Sequence, residues 1–391
     1  MIGYERRGRL PAKPHTVCRG ADGQLLHEQC FTQGGFDGPF SILYHRAPPQ
    51  NHGGGEAVAA LWPGRAEVDD VSLLPLRRQH FATFRAAGEG TPTTGRKPLM
   101  FNGDLTVGVV RPVAEDAFCF ANADGDEVLY CHAGGGRLWT WFGRLDFGPG
   151  DYVIIPRSVP YRVELGEGPQ HWLWIECRTP VRVPKQYRNP IGQLRMDAPY
   201  TARDFRTPAF EAGPDTTREV LTKRRDRFTR HTWGGPVFDV AGWDGTVYPV
   251  VFPISRFSPK AGQVHLPPTV HGTFATEGSL ICSFVPRMVD FGEGAIPCPY
   301  PHSNVDVDEV IFYCDGDFTS RRGLSAGSVS FHPAGVPHGP HPGAYEASVG
   351  VRQTSETAVM IDTFQPLRVT AAGRALEAPD YDESWTPKEP A

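Results

Sequence analysis

The chain has 391 residues, with 44 glycines, 38 prolines, 11% aromatic residues and a formal net charge of −5. That length allows two domains, and so much glycine and proline favours short strands separated by turns over long helices. No basic block predicts nucleic-acid binding, no apolar run approaches membrane-spanning length, and the first residues lack the hydrophobic stretch of a signal peptide. The eight cysteines are scattered, which indicates reduced thiols in a cytoplasmic protein rather than a disulfide framework.

Strand and turn patterns divide the chain into five parts. These are an N-terminal arm with strands (1–99), a first barrel region (100–180), a connection (181–245), a second barrel region (246–365) and a C-terminal tail (366–391). The arm contains the strand-like run Phe36–His45. In the connection, the basic segment Thr216–Arg230 is predicted to form either a solvated face or a short basic helix. The polar tail after Leu376 is predicted to pack weakly or fray.

The first barrel region contains a hairpin pattern. Glu127 is followed by six residues and then Gly134, and a second half runs from Gly150 through Pro156 to Tyr161. Glycine suits such turns because it adopts backbone angles that other residues resist. In the corresponding part of the second barrel region, Val310, Phe312 and Cys314 alternate with Ile311, Tyr313 and Asp315 as strand residues do, so a strand is predicted after Glu309.

The second barrel region repeats this pattern with different side chains. Glu309 is followed by six residues and then Gly316, and the second half runs from Gly327 to His338. His302 lies seven residues before Glu309, where the first copy has a phenylalanine. An internal repeat of this kind predicts two similar units.

Two imidazoles and one carboxylate, from His302, Glu309 and His338, form the ligand set that holds a non-haem ferrous ion. Such a set leaves coordination positions for a bidentate substrate and dioxygen, which predicts an oxygenase. The equivalent positions in the first copy are Phe120, Glu127 and Tyr161. A single carboxylate does not hold a ferrous ion, so the first copy is predicted to be structural. The alternative, that all three are ordinary loop or core residues, explains any one of them better than it explains the set.

The paired half-motifs resemble those of the cupin superfamily, in which the ligands point into a small antiparallel β-barrel. The predicted fold is therefore an all-β bicupin, with two jelly-roll-type barrels and an N-terminal arm. Many cupins have His-x-His where this chain has His302-Ser303-Asn304, so Asn304 is predicted to line the site. Two further histidines, His265 and His332, are candidates for acid–base catalysis, because the imidazole pKa lies near working pH. Either one alone would more often be a surface or packing residue.

The order of these residues resembles the homogentisate 1,2-dioxygenases. The shared pattern is His265-Leu-Pro-Pro, Pro299-Tyr-Pro-His302-x-Asn304, Glu309 and His332-x5-His338-Gly-Pro. The resemblance covers the second half closely, and the first barrel and the arm more loosely. It implies that His302, Glu309 and His338 bind ferrous iron and that His265 and His332 act near the substrate. One departure is Phe318, which stands where the family has a tyrosine nine residues after the glutamate.

The resemblance also implies extradiol-type cleavage of a 1,4-dihydroxylated aromatic acid in tyrosine and phenylalanine catabolism. The substrate would chelate iron through a ring hydroxyl and its side-chain carboxylate, and no organic cofactor is needed. The predicted substrate-binding residues are Asn304, Tyr313, Phe318, Arg321 and His338. Arg321 or its neighbour Arg322 could pair with the substrate carboxylate, or both could be surface arginines at a turn.

The sequence leaves two alternative functions open. One is a dioxygenase for another hydroquinone-type acid such as gentisate, and the other is a non-catalytic or isomerase-like metal-binding cupin. The complete ligand set favours turnover over the second alternative. The expected partners are a small aromatic acid and dioxygen, with no nucleic acid and no membrane. Open barrel edges and glycine-rich arms also predict a homo-oligomer.

Overall fold

The computed structural model describes residues 2–62, 75–215, 217–297, 301–318 and 323–386. Within these residues the regular structure is almost entirely β, with 26 strands and two short α-helices. The predicted all-β class is confirmed, and the architecture is of the cupin jelly-roll type. The seven cysteines in the described ranges are free thiols. No helix in those ranges is both long enough and apolar enough to cross a bilayer.

The first fourteen strands precede residue 180. They are β1 (Glu5–Gly8), β2 (His27–Thr32), β3 (Phe40–His45), β4 (Glu56–Val58), β5 (Gln79–Phe81), β6 (Arg96–Phe101), β7 (Leu105–Val110), β8 (Cys119–Asn122), β9 (Asp126–Ala133), β10 (Gly136–Thr140), β11 (Gly143–Phe147), β12 (Asp151–Ile155), β13 (Tyr161–Leu165) and β14 (His171–Cys177). The strand predicted within Phe36–His45 is confirmed as β3.

The other twelve strands follow residue 218. They are β15 (Glu219–Arg224), β16 (Arg227–Thr232), β17 (Val240–Gly245), β18 (Val250–Pro253), β19 (Gly272–Ala275), β20 (Ser279–Phe284), β21 (Arg287–Met288), β22 (Asp308–Asp315), β23 (Val329–His332), β24 (Gln353–Thr354), β25 (Thr357–Thr363) and β26 (Arg368–Val369). The helices are α1 (Ala344–Ser348) and α2 (Ala371–Arg374). Single 3-10 turns lie at Thr83–Arg85, Lys185–Tyr187, Ala202–Asp204, Ile254–Arg256, Pro268–His271 and Asp382–Trp385.

Two seven-stranded sheets enclose the first core. Their strand orders are β11-β10-β13-β8-β15-β16-β4 and β18-β12-β9-β14-β7-β6-β26. Aromatic side chains fill the space between the two sheets, where Trp62 contacts both Phe120 of one sheet and Trp174 of the other. A four-stranded sheet, β1-β17-β3-β2, holds the first three strands of the N-terminal arm.

A six-stranded sheet, β19-β20-β25-β22-β23-β5, carries the second repeat. One face of β22 packs on the first half of the chain, where the Phe312 ring lies 6.2 Å from the Tyr130 ring. The other face presents Glu309, Ile311 and Tyr313, of which the last two belong to a separate apolar cluster with Met360. This two-residue alternation confirms the strand predicted after Glu309.

The turns of the two repeats match in conformation. Gly134 and Gly316, which end the two glutamate-bearing strands, have positive φ angles of 78° and 90°. In the second half-motif, Ser158 has a φ of 68° where its counterpart Gly335 has 84°. The first copy therefore keeps the left-handed turn even though it lacks the glycine that adopts such angles at least cost.

The connection predicted for 181–245 contains β15, β16 and β17. Of the two interpretations of Thr216–Arg230, the short basic helix is wrong, because β15 and β16 form a hairpin there; Thr216 itself lies outside the described residues. Arg225 and Asp226 form the two-residue turn of this hairpin with φ angles of 52° and 57°, as in a type I′ turn. Lys223 is buried and donates to Asp124 at 2.6 Å and to Glu176 at 2.9 Å, so this charge belongs to the interior.

Strands cross the proposed division between the two barrels. β18 pairs with β12 of the first half, β26 pairs with β6, and β5 of the arm pairs with β23 of the second half. The prediction that the tail after Leu376 packs weakly is wrong for its described part. Tyr381 and Trp385 are only 6% and 9% exposed, because both rings pack against histidines of the second repeat.

Candidate metal centre

His302, Glu309 and His338 lie together, with one ligand atom from each residue within 4.8 Å of the others. Glu309 is the second residue of β22 and faces away from the first half of the chain. The two histidines lie outside the strands and join through their backbones. The His302 N–H donates to the His338 carbonyl at 2.6 Å, and the His338 N–H donates back at 2.8 Å. Backbone pairing therefore brings together two imidazoles that are far apart in sequence.

The orientation of His338 is well defined. Its Nδ1 lies 3.0 Å from the Val336 carbonyl, which assigns the ring proton to Nδ1 and leaves a lone pair on Nε2. That Nε2 is buried, has no hydrogen-bond partner among the described residues, and lies 3.9 Å from Glu309 Oε2. Two ligands about 2.1 Å from one metal ion are about 3–4 Å apart. The donor set therefore fits a divalent transition-metal ion.

A second carboxylate strengthens this fit. Asp362 of β25 pairs with Glu309 in the strand register, so both side chains point to the same face. Burial and the Glu309 charge raise the pKa of Asp362 to about 7. A divalent cation would relieve the repulsion between these carboxylates. Asp362 was not predicted from the sequence, although an aspartate directly after the apolar run Ala358–Ile361, within a strand, was a signal for it.

His332 contacts the carboxylate ligand directly. Its Nδ1 lies 2.7 Å from Glu309 Oε1, and its Nε2 lies 3.3 Å from the Tyr381 hydroxyl. The His332 ring is fully buried and stacks on His338, with the ring centres 5.1 Å apart. Because Oε1 of Glu309 accepts from His332 and Oε2 faces His338, the imidazole orients the carboxylate toward the proposed metal position.

The C-terminal segment completes the surroundings of these histidines. Trp385 stacks on His341 at 4.0 Å and meets the edge of His332 at 5.8 Å. His341 Nε2 lies 2.9 Å from the Ser384 hydroxyl. Tyr381, Trp385 and His341 were not predicted from the sequence. The four-residue spacing of two aromatic residues in a polar tail was the one available signal.

The other predicted site residues lie elsewhere. His265 lies in the segment before the Pro268–His271 turn, and its Nδ1 is 3.5 Å from an Asp290 carboxylate oxygen. It is not part of the His302–Glu309–His338 cluster. Asn304 accepts a 2.7 Å hydrogen bond from the Gly335 N–H through its backbone carbonyl, which ties the two ligand-bearing loops together. Arg321 and Arg322 lie outside the described residues.

Tyr313 and Phe318 lie toward the other end of β22. Tyr313 shares a face with Glu309 but is four residues further along the strand, a rise of about 13 Å. Its hydroxyl lies 3.0 Å from the Ser330 hydroxyl, and its ring lies 4.9 Å from the Phe318 ring. Both residues therefore line the apolar interior of the second barrel at some distance from the carboxylate ligand.

In the first repeat a guanidinium accompanies the retained carboxylate. Arg96 donates to Glu127 and, at 2.6 Å, to Tyr161, and the Tyr161 hydroxyl donates to Glu127 at 2.6 Å. Burial alone would raise the pKa of Glu127, but the Arg96 charge and these hydrogen bonds hold it below its usual value. Arg96 supplies the positive charge that a metal ion would supply in the second repeat.

Several known proteins are similar to this chain. Residues 109–254 match the family model described as Homogentisate 1,2-dioxygenase N-terminal. A Saccharolobus solfataricus protein named "Putative dioxygenase" is 33% identical over 98% of this chain and 99% of its own length. A Rhodopseudomonas palustris homogentisate 1,2-dioxygenase is 33% identical over 97% of this chain and 90% of its own length. Among solved structures, a cupin 2 conserved barrel domain protein from Leptotrichia buccalis covers 75% of this chain and 99% of its own, at 11% identity and a TM-score of 0.32.

Proposed function

This chain belongs to the homogentisate 1,2-dioxygenase family, and we propose that it opens the ring of a 1,4-dihydroxylated aromatic acid with dioxygen. The proposed cofactor is Fe(II), held by His302, Glu309 and His338. The observation that carries the proposal is the convergence of these three ligand atoms, with a buried Nε2 of His338 that no described residue satisfies. A two-histidine, one-carboxylate set is typical of non-haem iron oxygenases.

Two of the three proposed ligands have a defined support. The Val336 carbonyl sets the tautomer of His338, and His332 holds one oxygen of Glu309. Ile311 lies on the same face of β22 as Glu309 and belongs to a buried apolar cluster with Met360. A ferrous ion bound by the three ligands would supply positions for a ring hydroxyl and dioxygen and would transfer electrons between them.

Proton transfer needs a base near the ring hydroxyl. We keep His265 as a proposed acid–base residue, as the family resemblance implies. Both ring nitrogens of His332 have partners, Glu309 on one side and Tyr381 on the other. This geometry favours a role in positioning the Glu309 carboxylate over a role in acid–base catalysis. In the positioning role His332 keeps a proton on Nδ1, which donates to the carboxylate.

The substrate proposal is homogentisate or a close hydroquinone acid, with gentisate as the alternative. Phe318 is the reason that both substrates are proposed. A phenyl ring cannot donate the hydrogen bond that a tyrosine at this position would donate to a ring hydroxyl. Membership of a dioxygenase family disfavours the non-catalytic cupin alternative. Self-association into a homo-oligomer also remains a proposal.

Anaerobic loading with ferrous ion, followed by oxygen-uptake assays with a panel of dihydroxyphenyl acids, tests the function. We expect one iron per chain and rapid oxygen consumption with at least one hydroquinone acid. His338→Ala should lose the iron, whereas Tyr161→Phe, at the equivalent position in the first repeat, should keep it. A His338→Ala protein with a full equivalent of tightly bound iron would contradict the ligand set. An iron-loaded wild type that consumes no oxygen with any of these acids would refute the reaction.

A further inference from the structure

A cavity of about 440 Å³ opens beside the proposed ligand His338. Prolines and aromatic rings form much of its wall, including Pro337, Pro340, Tyr345 and Trp385. That volume lies in the range of small-molecule sites and accommodates a one-ring acid. Apolar walls of this kind suit an aromatic ring, so a charged group among them is the feature that would select the ligand.

Arg78 supplies that charge. Its guanidinium carbon lies 4.7 Å over the Trp385 ring, and its Nε donates to Asp382 at 2.7 Å. The side chain is 19% exposed, and its two terminal nitrogens have no hydrogen-bond partner among the described residues. The indole of Trp385 connects this guanidinium to the histidines, because the same ring also contacts His332 and His341.

The other polar residues of the cavity do not offer this chemistry. His341 is engaged by the Ser384 hydroxyl, and Glu346 is an exposed acid that would repel an anion. Arg78 is the one lysine or arginine among the described lining residues. A guanidinium presents a planar set of N–H donors that matches the two oxygens of a carboxylate.

We infer that this cavity receives the aromatic acid and that Arg78 pairs with its side-chain carboxylate. The inference rests on the proposed function and makes it more specific. It places the carboxylate on the protein instead of on the metal, in contrast to the chelation that the family resemblance implies. Arg78 then selects acids over neutral rings of the same size.

Anaerobic calorimetry with two matched probes tests this assignment, using 2-hydroxyphenylacetate and its neutral amide. Arg78→Met should bind the acid about 10- to 100-fold more weakly, the scale for losing a charge-assisted pair, and should bind the amide within about 2-fold of wild type. Arg78→Lys should keep part of the preference for the acid.

Arg77→Met is the matched control. Arg77 forms a 2.7 Å ion pair with Glu377, so it joins the same two segments of the chain, but it does not line the cavity. We expect this variant to bind both probes as wild type does. Thermal melting identifies any variant that fails to fold, and the Arg78→Lys comparison then decides the question.

Two outcomes would overturn the assignment. Equal weakening of acid and amide in Arg78→Met would assign Arg78 a structural role, and undiminished acid binding would place the carboxylate elsewhere. If the wild type consumes no oxygen with any dihydroxyphenyl acid, the proposed reaction fails. The calorimetric comparison still decides whether Arg78 binds carboxylates.

Discussion

Replacing His332 with alanine separates two roles for this histidine. The structure shows a buried 2.7 Å contact between His332 Nδ1 and Glu309 Oε1, so the substitution leaves one oxygen of a metal ligand without its donor. Loss of such a supporting hydrogen bond typically weakens metal binding 10- to 100-fold, or about 1.4–2.7 kcal/mol. We expect His332→Ala to bind ferrous ion more weakly by that factor.

Anaerobic competition against a chromophoric chelator measures this affinity. His332→Gln should recover part of it, because its side-chain amide can still donate to the carboxylate. Tyr381→Phe should have an effect smaller than about 5-fold, because the 3.3 Å Tyr381 contact is one step further from the ligand. His265→Ala, which changes a residue outside the ligand cluster, should leave metal affinity within about 2-fold of wild type. If His332→Ala binds metal like wild type yet loses turnover, the positioning role is refuted and an acid–base role replaces it.

Three further predictions concern stability and substrate choice. Arg96→Met should destabilise the protein by about 3–5 kcal/mol in urea unfolding, because it strands a buried Glu127 charge, and adding Glu127→Gln should restore part of that loss. Phe318→Tyr should raise turnover of homogentisate relative to other hydroquinone acids, and unchanged ratios from a wild type that already prefers homogentisate would show that the substitution is neutral. Burial lowers the pKa of His171 and His271 to about 3, below the unfolded value, so the stability of an Asp362→Asn protein, which lacks the opposing raised pKa of Asp362, should fall as pH drops below about 6.5. Each can cost up to about 2 kcal/mol at pH 5, and a urea midpoint that is equal at pH 7 and pH 5 would contradict this.

The two repeats show two ways to hold a buried carboxylate on one scaffold. In the first, Arg96 neutralises Glu127, and Lys223 pairs with the neighbouring Glu176. In the second, Glu309 has Asp362 as its neighbour in the equivalent strand, with histidines around it. Internal cations stabilise the first arrangement without leaving coordination positions. The second arrangement favours a bound divalent ion. Such an ion would have free coordination positions, which the proposed oxygenase reaction needs.

Local patterns in the sequence determined the strands and the proposed ligands. Alternation after Glu309 predicted β22, and the spacing of glycines predicted the turns, because both depend on backbone preferences within a few residues. The same patterns identified His302, Glu309 and His338 as a set. The hairpin at 219–232 could not be predicted in this way, because two non-glycine residues, Arg225 and Asp226, form its left-handed turn.

Only the tertiary structure decided what surrounds those ligands. Tyr381 approaches His332 from 49 residues away, and Arg78 meets Asp382 across 304 residues. Neither segment carries a motif that specifies its partner, since the contacts arise from packing between distant parts of the chain. Packing also determines the contact between Arg96 and Glu127. The guanidinium lies among aromatic rings, and both charges of the pair are buried. Sequence periodicity specifies which face a side chain occupies, whereas the three-dimensional fold determines which other side chain it meets there.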